Sequence, residues 1–589
     1  MRPDDGGGDF RGINPDRLGD LIRAVNSSTG DGGAAAQPHI NSWMSHARRL
    51  QMDTSRLSKM TKHLSWAHDQ LPMLRRRHSL AMDEEKQDKE IGLGAGMVSA
   101  GAGDMGAYKT QSEAQKAAKK DAKAYKDGDM GLDEYMKKLE ANQNDPDYCK
   151  AAMDELGDTA LYRLQNGPMM FDPDHPEAGT RILATTVATA MRNGTTFKDD
   201  QGNEDLQHLS GLLAFADFPT DVVANLGKQC LAPGNYMYGE KVWEAMGNDP
   251  AASTKFLHDN MDRIPQWMKD DSDHHGGLPD FQAKAFAGVI KAGTLGDMGA
   301  DSNVAAENTE KLITYYGKNP DESTHPEIQA AFSQVITHYW DDIQASLTDP
   351  APADPGPGHV SVSENDMRAF INESMHNPKS AAELLAFSKQ KATDLAVSNP
   401  DNPETAHASG LVNGIFSYEA MSVYNEMKKK NEDEANEWNS TLTGKLKTAL
   451  GVGVEVAFDP GAAATTVSKA VINDVIDTFT ADLKLVDQGK DPEPPPMVTW
   501  RHEWQTAAQV VYRNDHSVGN PQMYADGYCD GKPFLKSDGP DEGQIVDDAS
   551  PGQRRAYNEW LKDQDLAQAS NGKFQELDQG RLDGSTGGS

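Results

Sequence analysis

Asn or Asp followed by proline recurs in this chain where helix-like runs begin: Asn144-Asp145-Pro146, Asp249-Pro250, Asn319-Pro320, Asn377-Pro378, and the close pair Asn399-Pro400 and Asn402-Pro403. A short polar side chain at an N-cap accepts a hydrogen bond from an otherwise unpaired amide. Proline at the next position has no amide to satisfy and a φ already suited to a helix. Each site therefore reads as a helix start. The expected fold class is all-α, a multi-domain irregular helical bundle or hairpin stack with little or no sheet. The prolines stand at 146, 250, 320, 378 and 400, with no fixed interval, so a strict solenoid is not expected.

With 589 residues the chain exceeds one hydrophobic core, and the size rule gives about three or four domains. The helical pattern and the breaks in it divide the chain as follows. An N-terminal helical hairpin occupies 1–91 and a Gly-rich linker 92–111. A central helical domain covers 112–348 and a Pro-rich linker 349–360. A second helical domain runs over 361–490, a proline linker over 491–498, and a helical and loop segment over 499–579. The tail, 580–589, is disordered by composition. Within this scheme the periodicity predicts single helices over Leu206 to Phe215, Ala251 to Met268, Ile328 to Leu347 and Glu404 to Ser440.

The formal charge of −34, from 91 acidic and 57 basic side chains, repels phosphate backbones and argues against nucleic acid as a partner. One segment departs from that balance. Arg48, Arg49, Arg56, Lys59, Lys62 and Arg75 to Arg77 make 45–80 basic, which reads as a solvated face or an edge that pairs with the acidic remainder. The most apolar stretch, 446–480, is interrupted by Glu455, Asp459-Pro460, Lys469 and Asp474, so no transmembrane segment is expected. Met1 to Phe10 carries acids and glycines in place of a basic start and an apolar run, so no general-secretory signal is expected there.

Motifs for chemistry are lacking, and no catalytic, cofactor-binding or metal-binding residue is nominated. Cys149, Cys230 and Cys529 are too far apart for a metal finger or redox pair. His502-Glu503 lacks the second histidine of a zinc-protease helix, and His274-His275 reads as a solvated loop. The turn Asp127-Gly128-Asp129 has Lys138 where a calcium loop needs its closing Glu, so it reads as a helix–turn–helix connection. The loop 514–548 gathers His516, Asp526, Cys529 and Asp530. A Cys–His nucleophile needs those side chains within hydrogen-bond reach, and the spacing does not require it.

In the first unit, a short helix over Asp16 to Val25 is followed by a longer one in which Trp43, Ala47, Leu50, Leu57, Leu64 and Leu71 recur at helix-pairing spacing. Two helices cannot bury that seam alone, so it must face other helices of the chain or a protein partner. These six residues form the candidate partner interface.

The first unit resembles the small WxG-type helical hairpins exported by type VII secretion, with Trp43 in the place of the family Trp and Ser45 where the family has Gly. More of the chain, roughly 144–420 and the Tyr557 to Leu561 segment, resembles an uncharacterised family of large helical actinobacterial proteins. That resemblance rests on NDPDYCKAAMDELG, MGNDPAASTKFL and HNPKSAAELLAF. It implies export or surface interaction and brings no assigned site. The expectation is a non-enzymatic protein acting through protein–protein contact, exported by a signal-less route. The alternatives are a toxin or hydrolase with its activity after Pro496, and a cytoplasmic scaffold.

Overall fold

The computed structural model describes residues 11–13, 15–29, 36–50, 54–90, 98–100, 108–157, 164, 176–199, 202–232, 234–269, 278–295, 302–320, 323–348, 357–399, 402–452, 501–538, 542–546 and 549–585. The fold is all-α. Among the described residues the sheet is one antiparallel ribbon, in which β1 (Arg11–Ile13) pairs with β2 (Val98–Ala100) in the register Gly12 opposite Ser99. Three residues of the stretch expected to be a Gly-rich linker are therefore a paired strand. Two compact units divide the chain, Met1–Phe256 with Met298–Ala300, and Leu257–Asp297 with Asp301–Ser589.

The first unit begins with three helices, where the sequence pattern leads one to expect two: α1 (Pro15–Thr29), α2 (Ala36–Arg49) and α3 (Ser55–Glu90). The expected long helix through Trp43 and Leu71 is split. Thr54, the described residue before α3, is β-branched and lowers helix propensity where the new helix starts. Both α1 and α2 pack against α3.

Beyond the ribbon, α4 (Gln111–Asp127), α5 (Leu132–Asn142) and α6 (Pro146–Leu156) follow in close succession. Thr110 caps α4 by accepting from Glu113 N, and Gly128 ends it at φ 87°, a left-handed conformation that glycine adopts without a Cβ clash. Asp127-Gly128-Asp129 is thus a helix-to-helix turn, as its sequence reads. Ala114, Ala118 and Ala122 form a buried small-residue stripe on α4, and α4 packs on α6. The unit continues through α7 (Pro176–Arg192), α8 (Leu206–Leu209), a 3-10 turn at Leu213–Phe215, α9 (Thr220–Cys230) and α10 (Tyr236–Gly247). The expected single helix over 206–215 is these two short pieces. Gly227 of α9 lies against Trp243 and Phe256, where a Cβ would stand 3.2 and 3.1 Å from their rings.

Asp249 accepts from Ala252 N and opens α11 (Pro250–Asn260), as its sequence predicts. The run expected to continue to Met268 stops there and resumes as α12 (Ile264–Trp267). The second unit then adds α13 (Asp280–Thr294), α14 (Ser302–Lys318), α15 (Pro326–His338), α16 (Trp340–Thr348), α17 (Glu364–Met375), α18 (Pro378–Ser398), α19 (Pro403–Lys430), α20 (Glu432–Val452), α21 (Arg501–Asn514), α22 (Pro521–Tyr528), α23 (Pro551–Trp560) and α24 (Gln564–Gly584). Its core holds Phe332 4.6 Å from Phe370, and Trp340 against Phe387 and Phe416.

The Asn-Pro rule holds at Asn377 and Asn402, whose side chains accept from the first amides of α18 and α19. It fails at Asn319-Pro320. There Asn319 donates back to Tyr315 O and finishes α14, and the next helix waits for His325-Pro326. Asn399 likewise closes α18. The helices expected over Ile328 to Leu347 and Glu404 to Ser440 are each two. The second break is at Asn431, held extended at φ −158° with its side chain accepting from Asp433 N. The loop expected over 514–548 contains α22 and a bridge between Leu535 and Ile545.

The largest departure lies at 580–589, where composition predicts disorder. Helix α24 extends to Gly584, and Ser585 is buried against its last turn. The reason is close packing: α24 lies directly on α19. A Cβ on Gly410 would stand 2.8 Å from Leu577 C, and one on Gly580 2.9 Å from Leu411 N. Glycines that read as disorder promoters in isolation are here the points where two backbones touch. Residues 453–500, with most of 446–480 and Pro492 to Pro496, and the residues after Ser585 lie outside the described residues.

Candidate interaction surface

The six seam residues divide along the N-terminal helices. Leu71 is buried at 3 % exposure, together with Ile40 of α2 and Ala81 of α3. Leu57 is half-buried. Trp43 and Leu50 face outward, at 58 % and 66 % exposure. The side chains of Ala47 and Leu64 lie outside the described residues. The seam is thus turned into the helical cluster at its Leu71 end and toward the surface at its Trp43 end.

Leu21, Met60 and Met82 are also exposed on these helices. The other large exposed apolar side chains among the described residues, Met237, Phe281, Met523, Tyr528 and Leu582, are scattered along the remaining chain. Single exposed apolar residues are ordinary on a folded protein. Basic residues neighbour two of these side chains: Arg49 adjoins Leu50, and Lys59 and Lys62 flank Met60, all exposed.

Arg76 shows where part of the basic segment is directed. Its guanidinium donates to both carboxylate oxygens of Asp145, at 2.8 and 2.6 Å, and to Asp147 at 2.7 Å, with Tyr108 O as a further acceptor. Asp145 is fully buried and caps α6, accepting from Asp147 N and Tyr148 N. This arginine pairs internally, as an edge meeting the acidic remainder would.

The loop candidate for chemistry does not assemble. His516 Nε2 lies 2.6 Å from Glu542 Oε1, and its ring packs edge-on to Tyr512. Cys529 is buried, and its thiol donates to the carbonyls of Ala525 and Lys532. Burial pushes that thiol up, reinforced by Asp530 and Asp526, which disfavours the thiolate a nucleophile needs. Asp526 accepts from Gln522. Among the described residues no group of three His, Cys, Asp or Glu side chains could hold a metal ion; His274 and His275 lie outside those residues. Among them also, no helix is long and apolar enough to cross a membrane.

Two buried polar clusters carry no sequence signal. In one, Glu503 Oε1 accepts from Asn413 Nδ2 at 2.6 Å, with Arg581 Nε 3.9 Å from its other oxygen. In the other, His376 stands between Glu373 and Glu426. Glu373 and His376 are one turn apart at the end of α17, but Glu426 comes from α19, and Asn413, Glu503 and Arg581 come from α19, α21 and α24, so packing alone completes each cluster. No protein-family model matches this chain, and neither the curated proteins nor the solved structures searched contain a match to it.

Proposed function

We propose that this protein works without catalysis, through protein–protein contact, with the N-terminal helices as its docking surface and export by a type VII-like route. The observation that carries the reading is the exposure of Leu21, Trp43, Leu50, Met60 and Met82 along α1 to α3 and the turn after α2. The basic neighbours of Leu50 and Met60 favour a helical partner whose apolar stripe is flanked by Asp and Glu. The alternative of a separate effector after Pro496 is disfavoured by the interlocking of α24 with α19, which makes that segment part of the second unit.

The test uses the full chain and a Trp43→Ala, Leu50→Glu double variant, each recovered from its native host with bound proteins identified by mass spectrometry. A specific helical, acidic partner retained by the parent and lost by the variant is expected. A partner held equally by both overturns the docking surface. Self-association of the parent that the variant abolishes would make the occupant a second copy, contrary to the proposal. Detection of the chain only inside cells whose secretion system is intact would sink the export half.

A further inference from the structure

His376 ends α17 at a corner where four other helices meet. Its Nδ1 donates to Asn372 O at 3.1 Å and stands 3.7 Å from Glu373 Oε2, and its Nε2 is 3.6 Å from Glu426 Oε2 on α19. Glu373 is buried, and its Oε1 accepts from Thr324 N at 2.8 Å and Gln329 Nε2 at 3.0 Å, at the start of α15. On the same corner Trp438 of α20 donates to Met375 O, and Asn377, the cap of α18, donates to Pro326 O. Helix α19 supplies Glu426, itself paired with Lys430 at 2.6 Å. Through Asn372 the corner also reaches Glu419, which pairs with Arg368. The contacts from α15 and α20 come from Thr324, Gln329 and Trp438, which do not titrate near neutrality.

We propose that Glu373, His376 and Glu426 form a proton-operated latch that braces the corner of α15, α17 and α19 at mildly acidic pH and loosens it as pH rises past neutrality. Two carboxylates flank one imidazole, so below neutrality the buried Glu373 carboxyl keeps its proton while the His376 imidazolium faces the Glu426 carboxylate. Removing those protons leaves Glu373 as a buried charge beside a neutral ring. Such a charge is costly in a low-dielectric interior.

The titration directions agree with that geometry. Burial pushes the Glu373 carboxyl up to about 7, against the opposing pull of His376, Gln329 and Thr324 N. For His376, burial alone would lower the value, but Glu426 and Glu373 outweigh it and hold it above its ordinary value. Both groups are raised in the folded state, so the stability they contribute is full below their unfolded values. It is lost as pH climbs through the folded ones. Glu426 behaves oppositely: interaction with the His376 ring brings it down to about 2, and its contribution is lost only in strong acid. Between about pH 5 and pH 8 the net effect is weakening with rising pH.

Thermal unfolding and hydrogen exchange of the full chain at about pH 5.5 and pH 8, on either side of the ordinary His value, test the latch. In the parent, peptides covering 370–378 and 420–430 should exchange more than expected from chemistry alone at the higher pH. Glu373→Gln replaces the carboxyl with a neutral group of the same shape. It should leave the melting temperature unchanged at the lower pH and raise it by about 2–4 °C at the higher one. His376→Gln should lower it at the acidic end, where no imidazolium then faces Glu426. A pH dependence of undiminished size in Glu373→Gln overturns the latch. So does failure of that variant to fold at the lower pH, because the amide mimics the protonated state.

Discussion

Arg76 and Asp145 meet through two parallel hydrogen bonds, and the carboxylate that receives them is the same one that caps α6. One side chain therefore performs two tasks, ending the amide deficit of a helix and fastening α3 to the start of α6. Arg76 is 10 % exposed and Asp145 fully buried, so solvent screens the pair weakly.

Two substitutions should separate those tasks. Arg76→Ala leaves Asp145 buried without its cation, and breaking such a pair costs on the order of 3–5 kcal/mol. Asp145→Asn keeps an oxygen for the cap and loses the charge. It should be milder than Asp145→Ala, which also forfeits a cap of about 1 kcal/mol. Urea unfolding of the three variants orders them, and Arg76→Lys should not restore the parent because it cannot form the paired fork.

The contact of α19 with α24 makes opposite forecasts for glycines of one helix. Gly580→Ala places a Cβ against the backbone of His407 and Leu411 and should destabilise by about 1–3 kcal/mol or more. Gly572, on the same helix, has nothing within 4 Å of its would-be Cβ, so Gly572→Ala should stabilise by about 0.5–1 kcal/mol. Denaturation midpoints of the two variants should move in opposite directions. Equal shifts would argue against the close approach.

All three thiols should resist alkylation at neutral pH until denaturant is added. Cys149, Cys230 and Cys529 are buried, and burial pushes each thiol up. Time-resolved labelling read by mass spectrometry checks this. Rapid modification of Cys529 alone would revive a reactive role for its loop.

Much of the fold was legible because helix starts are local. Asp145, Asn377 and Asn402 each accept from amides within three residues, so the pattern of side chain and proline carries the outcome. Asn319-Pro320 has the same local form and ends a helix, since Asn319 can serve the carbonyl of Tyr315 as readily as a following amide. The burial of the N-terminal helices was legible only in part. Periodicity placed Trp43 through Leu71 on one seam, yet which end of it faces outward depends on where α1 and α2 lie on α3. The Glu373, His376 and Glu426 cluster was invisible because its outer members belong to different helices.

The α19–α24 contact has a consequence for how the second unit is made. Gly410 and Gly414 have their counterpart in Leu577 to Gly584, so a ribosome must deliver more than a hundred intervening residues before α19 can be covered. Until then the face of α19 that carries His407, Gly410, Leu411 and Gly414 stays open to other chains. Non-local closure of this kind is slow, and it makes the interval before α24 emerges the period when nascent chains are most open to aggregation or chaperone capture.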